Sequence, residues 1–165
     1  MTVSEVSKII TEIAPIIGAD TISKDAPGEH WTVVFDEQTC IFLSLDLVDN
    51  TLRLEADIGP IESNDAAILA RLLAANDYTG PTDGNWTALD DTGAMAMLYR
   101  KIGLADMTAE KLKSGILTHF DALREWREVI PYEVDRMPGT DTETDSNLEP
   151  PANGAGDPMQ GIIRV

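Results

Sequence analysis

The chain has 165 residues, of which 43% are apolar and 25% are charged, a composition typical of one globular domain with a sizeable hydrophobic core. Its 29 Asp and Glu residues against 12 Lys and Arg residues give a net charge of −17, which repels nucleic-acid phosphates and anionic membrane surfaces. We therefore expect no nucleic-acid binding and no membrane insertion. The single cysteine, Cys40, excludes an internal disulfide, and the sequence has neither a basic leader nor an apolar run of about 18 residues, so we expect a cytoplasmic protein.

The first third of the chain predicts one helix and three strands. Apolar residues at three- and four-residue spacing predict an amphipathic helix over 3–17. Strand-like segments follow at 30–36, 39–46 and 51–58, and the short polar joints between them predict an antiparallel meander. The middle segment is uncharged up to Asp46, so we expect it to be central in the sheet and covered on both faces.

A second helix is predicted over 65–76, with Ser63 as its N-cap and Gly80 just beyond its end. Between Asp65 and Tyr78 only three residues carry a charge, so the helix has almost no polar face. A helix that is apolar nearly all round is buried on more than one side. In a chain of this length, the second cover would be another copy of the same chain.

A hairpin and a long helix complete the predicted domain. The strands of the hairpin are 85–89 and 94–99, and the second has apolar residues on both faces, among them two methionines, which are flexible core fillers. The long helix runs over 108–130 with Thr108 as its N-cap, and its single apolar stripe is expected to cover one face of the sheet.

The chain changes character beyond Met137. The segment is acidic, lacks aromatic residues and has almost no large apolar ones, so it cannot bury enough surface to offset its ordering entropy. We expect a folded domain over 1–134 and an acidic, disordered tail over 135–165, with the apolar residues of 161–165 as an adhesive end.

The element order α-β-β-β-α-β-β-α predicts an α+β fold with three helices on an antiparallel twisted sheet of about five strands. With residues 72–76 (Leu-Leu-Ala-Ala-Asn), 89–97 (Leu-Asp-Asp-Thr-Gly-Ala-Met-Ala-Met), Phe120 and Trp126, the chain resembles the class I type III secretion chaperones, the family of the Tir and YopE chaperones. The resemblance covers roughly residues 1–132.

This resemblance implies a cytoplasmic homodimer of a Gram-negative bacterium, without cofactor or catalytic activity. Such a protein binds the N-terminal segment of a secreted effector, keeps it competent for secretion and delivers it to the secretion apparatus. The implied dimer interface consists of Ile68, Leu69, Leu72, Leu73 and Trp86. The implied effector-binding residues are Ile9, Ile13, Ile16, Val34, Phe42, Met95 and Met97.

Two other functions remain open. A regulatory domain with the same fold would bind something other than an effector. An aspartic protease of the retroviral type is suggested by Asp91-Thr92-Gly93, but Asp90 would place a second carboxylate beside the catalytic pair, and the same residues form an ordinary hairpin turn.

Metal and nucleotide sites have little support in the sequence. His30, His119 and Cys40 stand alone without the spacing of a zinc site, and no phosphate-binding glycine loop is found. Asp46 and Asp49 flank a turn but lack the spacing and the glycine of a calcium loop.

Overall fold

The computed structural model describes residues 1–25, 29–61, 65–77 and 84–130. Within these residues the chain forms three helices and six strands. In chain order they are α1 (Val3–Ile13), β1 (Thr21–Lys24), β2 (His30–Asp36), β3 (Thr39–Asp46), β4 (Thr51–Pro60), α2 (Ala66–Asp77), β5 (Asn85–Leu89), β6 (Met95–Gly103) and α3 (Ala109–Val129).

The strands form one antiparallel sheet in the order β1-β2-β3-β4-β6-β5. This confirms the predicted α+β fold, with β1 and β5 as the edge strands. The sheet has six strands rather than about five, because Thr21–Lys24 pairs with β2. The sequence did not predict β1, since Ile22 is its one apolar residue and a four-residue segment of this kind has no apolar alternation.

The sheet has two different faces. Leu52, Leu54 and Ala56 of β4 point to one face and are fully buried, whereas the residues between them are not. Helix α3 contacts β4 and β6 on this side, and α2 contacts β5. We call this the covered face. The opposite side, which carries Phe42 of β3 and Met97 of β6, is the open face.

Helix α3 holds the covered face together. Its residues Leu112, Ile116 and Leu123 are fully buried in the core. At Gly115 the helix approaches β6 so closely that an added Cβ would lie 2.6 Å from Cδ1 of Ile102. Near its end, Arg127 donates hydrogen bonds to the Thr39 hydroxyl (3.1 Å) and to the backbone oxygen of Asp57 (2.8 Å), joining α3 to β3 and β4.

Helix α1 is shorter than predicted. Thr2 caps its first turn and exchanges hydrogen bonds with Glu5, which lowers the pKa of that carboxyl through the bond from the Thr2 backbone. The prediction of a helix to residue 17 was wrong, because Pro15 has no N–H to continue the hydrogen-bond pattern. Ile16 and Ile17 instead donate to the carbonyl of Ile13 in a terminal turn.

Strand β3 lies between β2 and β4, as predicted from its apolar sequence. The prediction that both of its faces are covered was wrong for the single chain, because the side chain of Phe42 is 43% exposed. The proposed cap Ser63, Gly80 and the predicted tail 135–165 lie outside the described residues.

Candidate functional site

The open face carries a row of paired residues across four strands, in which three residues are aromatic and one is a glutamate. Phe42 pairs with Glu55, Glu55 with Tyr99, and Tyr99 with Trp86 at the β5 edge. The rings of Trp86 and Tyr99 stack with centroids 5.8 Å apart. Glu55 forms an ion pair of 2.6 Å with Arg53 one position away on this face. The open face therefore presents large apolar side chains together with charge.

A second row contains an acidic residue among apolar neighbours. Asp57 of β4 pairs with Met97 of β6, which pairs with Ala88 of β5. Burial raises the pKa of Asp57, and the charges of Asp90 and Glu55 add to this effect, whereas Arg127 opposes it. The pKa of Tyr99 is raised as well, mainly by burial and secondly by the negative charge of Glu55.

Helix α2 leaves most of its apolar surface exposed in the single chain. Only Leu72 is buried among its described residues, Ile68 and Leu69 are half-buried, and Leu73 is 71% exposed. Its other exposed apolar residues are Ala66, Ala67, Ala70 and Ala74. The expected cover on more than one side is thus not supplied by the described part of the same chain.

The contact between α2 and β5 is polar and was not foreseen. The side-chain amide of Asn76 accepts a hydrogen bond from the backbone N–H of Thr87 (2.8 Å) and donates to its carbonyl (2.7 Å). The buried Thr87 hydroxyl donates to the carbonyl of Leu72 (3.0 Å). Because Asn76 takes both backbone groups of Thr87, the centre of the β5 edge is closed to another strand. An asparagine near the end of an otherwise apolar helix was the available signal.

The seven residues mapped as effector-binding lie on two sides of the sheet. Helix α1 packs on the covered side, where Ile13 is buried in the core (1% exposed), Ile9 is half-buried and Ile16 is 58% exposed. The remaining four, Val34, Phe42, Met95 and Met97, lie on the open face. The single chain therefore does not bring all seven into one groove.

The five residues mapped to the dimer interface all lie near the β5 edge. Ile68, Leu69, Leu72 and Leu73 belong to α2 on the covered side, and Trp86 lies on the open side of β5. Leu72 is buried in the core of its own chain, whereas Leu73 is the most exposed of the five residues.

Asp91 and His119, which the sequence analysis considered for catalysis and for metal binding, lie in a turn and in the core. Asp91 lies in the exposed β5–β6 turn, where Asp90 accepts hydrogen bonds from the backbone of Ala94 and Met95. His119 is buried, its Nδ1 lies 2.8 Å from the Asn85 side-chain oxygen, and burial lowers its pKa to about 3.

The described residues include neither a candidate metal site nor a candidate membrane-spanning helix. Across the described ranges, no group of three or more His, Cys, Asp or Glu side chains is placed to hold a metal ion. None of the described helices combines the length and apolar character that crossing a membrane requires.

Comparison with known proteins decides the family. The model of the Tir chaperone protein (CesT) family matches residues 8–127. The chain belongs to this family. Members of the Tir chaperone family are type III secretion chaperones, which are binding proteins rather than enzymes, as the sequence resemblance indicated.

Individual relatives agree in sequence and in fold. The transcriptional anti-antiactivator ExsC of Pseudomonas aeruginosa is 28% identical over 133 residues, which cover 81% of this chain and 90% of ExsC. A chain of the ExsC–ExsE complex superposes with a TM-score of 0.66 at 26% identity, over 78% of this chain and 96% of that one. A chain of the HopA1–SchA chaperone–effector complex shares the fold, with a TM-score of 0.61 at 18% identity over 74% and 93% of the two chains.

Proposed function

We propose that this protein acts in the cytoplasm as a homodimeric type III secretion chaperone, which binds the N-terminal segment of a secreted effector and keeps it competent for secretion. The observation that carries the proposal is the large apolar surface that the single chain leaves exposed on α2 and on the open face. Large exposed apolar patches commonly mark sites where a protein binds a partner, and the members of this family are binding proteins.

The dimer is assigned to α2 and the neighbouring sheet edge. Small alanine side chains around Leu73 allow a second helix to approach closely, and the half-buried Ile68 and Leu69 lie beside them. Trp86, at the edge of the open face, completes the proposed interface. Dimerisation would bury Leu73, which the described part of the single chain leaves 71% exposed.

The effector is proposed to bind in extended form along the sheet. Strand addition supplies backbone hydrogen bonds, and apolar pockets select side chains. Because Asn76 closes the centre of the β5 edge, the mostly exposed strand β1 is the better edge for an added strand. The apolar residues Val34, Phe42, Met95 and Met97 are assigned to effector side chains on the open face, and Ile9 and Ile16 to those that pass α1. Ile13 is omitted because it lies in the core.

Purification from the native host tests this proposal. We expect one secreted protein to co-purify in fixed stoichiometry with a dimer of this chain, bound through its first ~100 residues, since an extended partner buries a large surface. The variant Phe42→Asp with Met97→Asp should lose this partner and remain folded. A control with Val48→Asp, whose side chain is 96% exposed at the β3–β4 turn, should retain it. Retention of the partner by the Phe42 and Met97 variant would refute the assigned surface.

A second function is favoured by the similarity to ExsC, a transcriptional anti-antiactivator. We infer that this chain also regulates transcription by binding an antiactivator protein. Deletion of its gene should then reduce transcription of a reporter placed under a promoter of the type III secretion genes. Additional deletion of the antiactivator gene should restore transcription of the reporter. Unchanged reporter activity in the deletion strain would leave the secretion chaperone as the sole function.

A further inference from the structure

The open face has a carboxylate at the centre of an apolar patch. Asp57 is paired with Met97, and in the pleated sheet the diagonal positions belong to Met95 and Tyr99 on one side and to Phe42 on the other. Directly paired side chains in a sheet lie about 5 Å apart and diagonal ones about 7–8 Å apart. The Asp57 carboxylate thus lies among large apolar side chains, with Glu55 two positions before it on the same strand, on a face that no described helix covers.

Within the described residues, the Asp57 carboxylate forms no ion pair on the open face, and the charge of Arg127 acts on it from the covered side. Among the described residues, the ion pairs on this side join Arg53 to Glu55 and Lys101 to Asp49, and neither includes Asp57. Arg127 reaches the backbone oxygen of Asp57 from the covered side. A carboxylate among apolar groups gains most from a cation that binds together with further apolar surface.

The charge of the patch indicates what kind of partner it accepts. A second copy of this chain carries a net charge of −17 and would add repulsion to the face that already contains Asp57 and Glu55. A segment with a basic side chain between apolar side chains has the complementary pattern. In an extended segment, alternate residues point to one side, so such a segment presents all of these groups to the sheet.

We propose that the open face binds a partner segment in which one Lys or Arg is flanked by apolar residues, with the basic group on Asp57 and the apolar groups on Phe42, Met97 and Tyr99, whereas Trp86 at the β5 edge stays with the proposed dimer interface. This inference rests on the proposed function, because it specifies the chemistry of the segment that the chaperone binds. The aromatic rings add favourable contacts with the cation.

Synthetic peptides of defined charge test the proposal. The probes are peptides of about eleven residues with Ser at odd positions, Leu at the other even positions, and Lys, Gln or Glu at the central position, which is their sole difference. We expect isothermal titration with the full-length protein to show about tenfold tighter binding of the Lys peptide than of the Gln peptide, and the weakest binding for the Glu peptide.

Two variants assign this preference to Asp57. Asp57→Asn keeps the shape of the side chain and should make the Lys and Gln peptides bind equally, whereas Asp57→Lys should favour the Glu peptide. The matched control is Asp121→Asn, an exposed position on α3, which should keep the wild-type order. Circular dichroism and thermal melting of each variant verify that the fold is retained.

Three results would overturn the inference: equal affinities of the wild type for the Lys and Gln peptides, a preference for Lys that survives Asp57→Asn, or no binding of any peptide. The proposed function depends on the separate co-purification experiment, which uses the natural partner. A chaperone that retains its effector but shows no charge preference would therefore refute this inference alone.

Discussion

Asn76 satisfies both backbone hydrogen-bonding groups of Thr87 with one side-chain amide. These two hydrogen bonds replace those that a neighbouring strand would make with Thr87, and they hold α2 against β5. Replacement by alanine would leave the N–H and the carbonyl of Thr87 without these partners at a site where the Thr87 side chain is buried. The helix would gain up to about 0.7 kcal/mol in propensity, which is less than the about 1–3 kcal/mol lost for an unsatisfied buried group.

We therefore predict that Asn76→Ala lowers the free energy of unfolding by about 1–2 kcal/mol, measured by urea denaturation. The control is Asp77→Ala, the next residue of the same helix, which is exposed and should change stability by no more than about 0.5 kcal/mol. Equal effects of the two substitutions would show that the Asn76 contact contributes nothing specific.

His119 makes stability depend on pH. Burial, with a smaller contribution from Arg100, lowers its pKa from 6.5 to about 3 in the folded protein. The unfolded chain therefore binds a proton at this residue before the folded chain does, so stability falls as pH decreases from about 6.5 towards 3. The slope attributable to His119 is at most about 1.4 kcal/mol per pH unit.

The prediction is that His119→Gln flattens the dependence of unfolding free energy on pH over this range, measured by denaturant titration at several pH values. Carboxylates such as Asp46, whose pKa is lowered by the hydrogen bond from the Asp49 backbone, act in the same direction in both proteins and cancel in the comparison. Gln38→Ala, at an exposed residue that does not titrate, serves as the control and should keep the wild-type slope. A slope in His119→Gln as steep as in the wild type would contradict the assignment.

At the scale of elements, apolar periodicity predicted the three helices and five of the six strands that the described residues form. Where the prediction differed, local chemistry explains the difference: Pro15 ends the hydrogen bonding of α1 early, and β1 is a short edge strand whose position depends on pairing with β2. The polar contact of Asn76 with Thr87 was also missed, because a helix-to-strand hydrogen bond leaves no periodic pattern in the sequence. Ile13 was assigned to a binding surface since periodicity does not distinguish an exposed apolar position from a core position.

Helix α2 provides the test of the dimer at this scale. Leu73 is 71% exposed, so Leu73→Asp removes apolar surface without opening the core. We predict that the protein elutes with the mass of a dimer and that Leu73→Asp elutes with the mass of a monomer, measured by light scattering after size exclusion. Val48→Asp should remain dimeric, since Val48 lies in the turn between β3 and β4, whereas α2 contacts β5 at the edge of the sheet. A wild-type monomer would refute the proposed dimer.

At the scale of the whole molecule, composition predicts a folded domain followed by a separate acidic tail. The acidic, apolar-poor sequence beyond Met137 predicts that residues 1–134 suffice for folding. Truncation after Val134 should leave the melting temperature within about 2 °C of the full-length value, measured by calorimetry. A larger decrease would show that residues beyond 134 contribute to the stability of the domain.

Dimerisation also couples stability to concentration. If two chains fold and associate together, a tenfold rise in protein concentration stabilises the dimer against unfolded monomers by about 1.4 kcal/mol. For a folded unit of this size we predict a rise in melting temperature of about 2–4 °C, measured by scanning calorimetry at several concentrations. Leu73→Asp should melt at a lower temperature that does not change with concentration. Because Leu73 is exposed in the single chain, its substitution should change the stability of the monomer little. If the melting temperature depends on concentration in the wild type but not in Leu73→Asp, then α2 is the surface that joins the two copies.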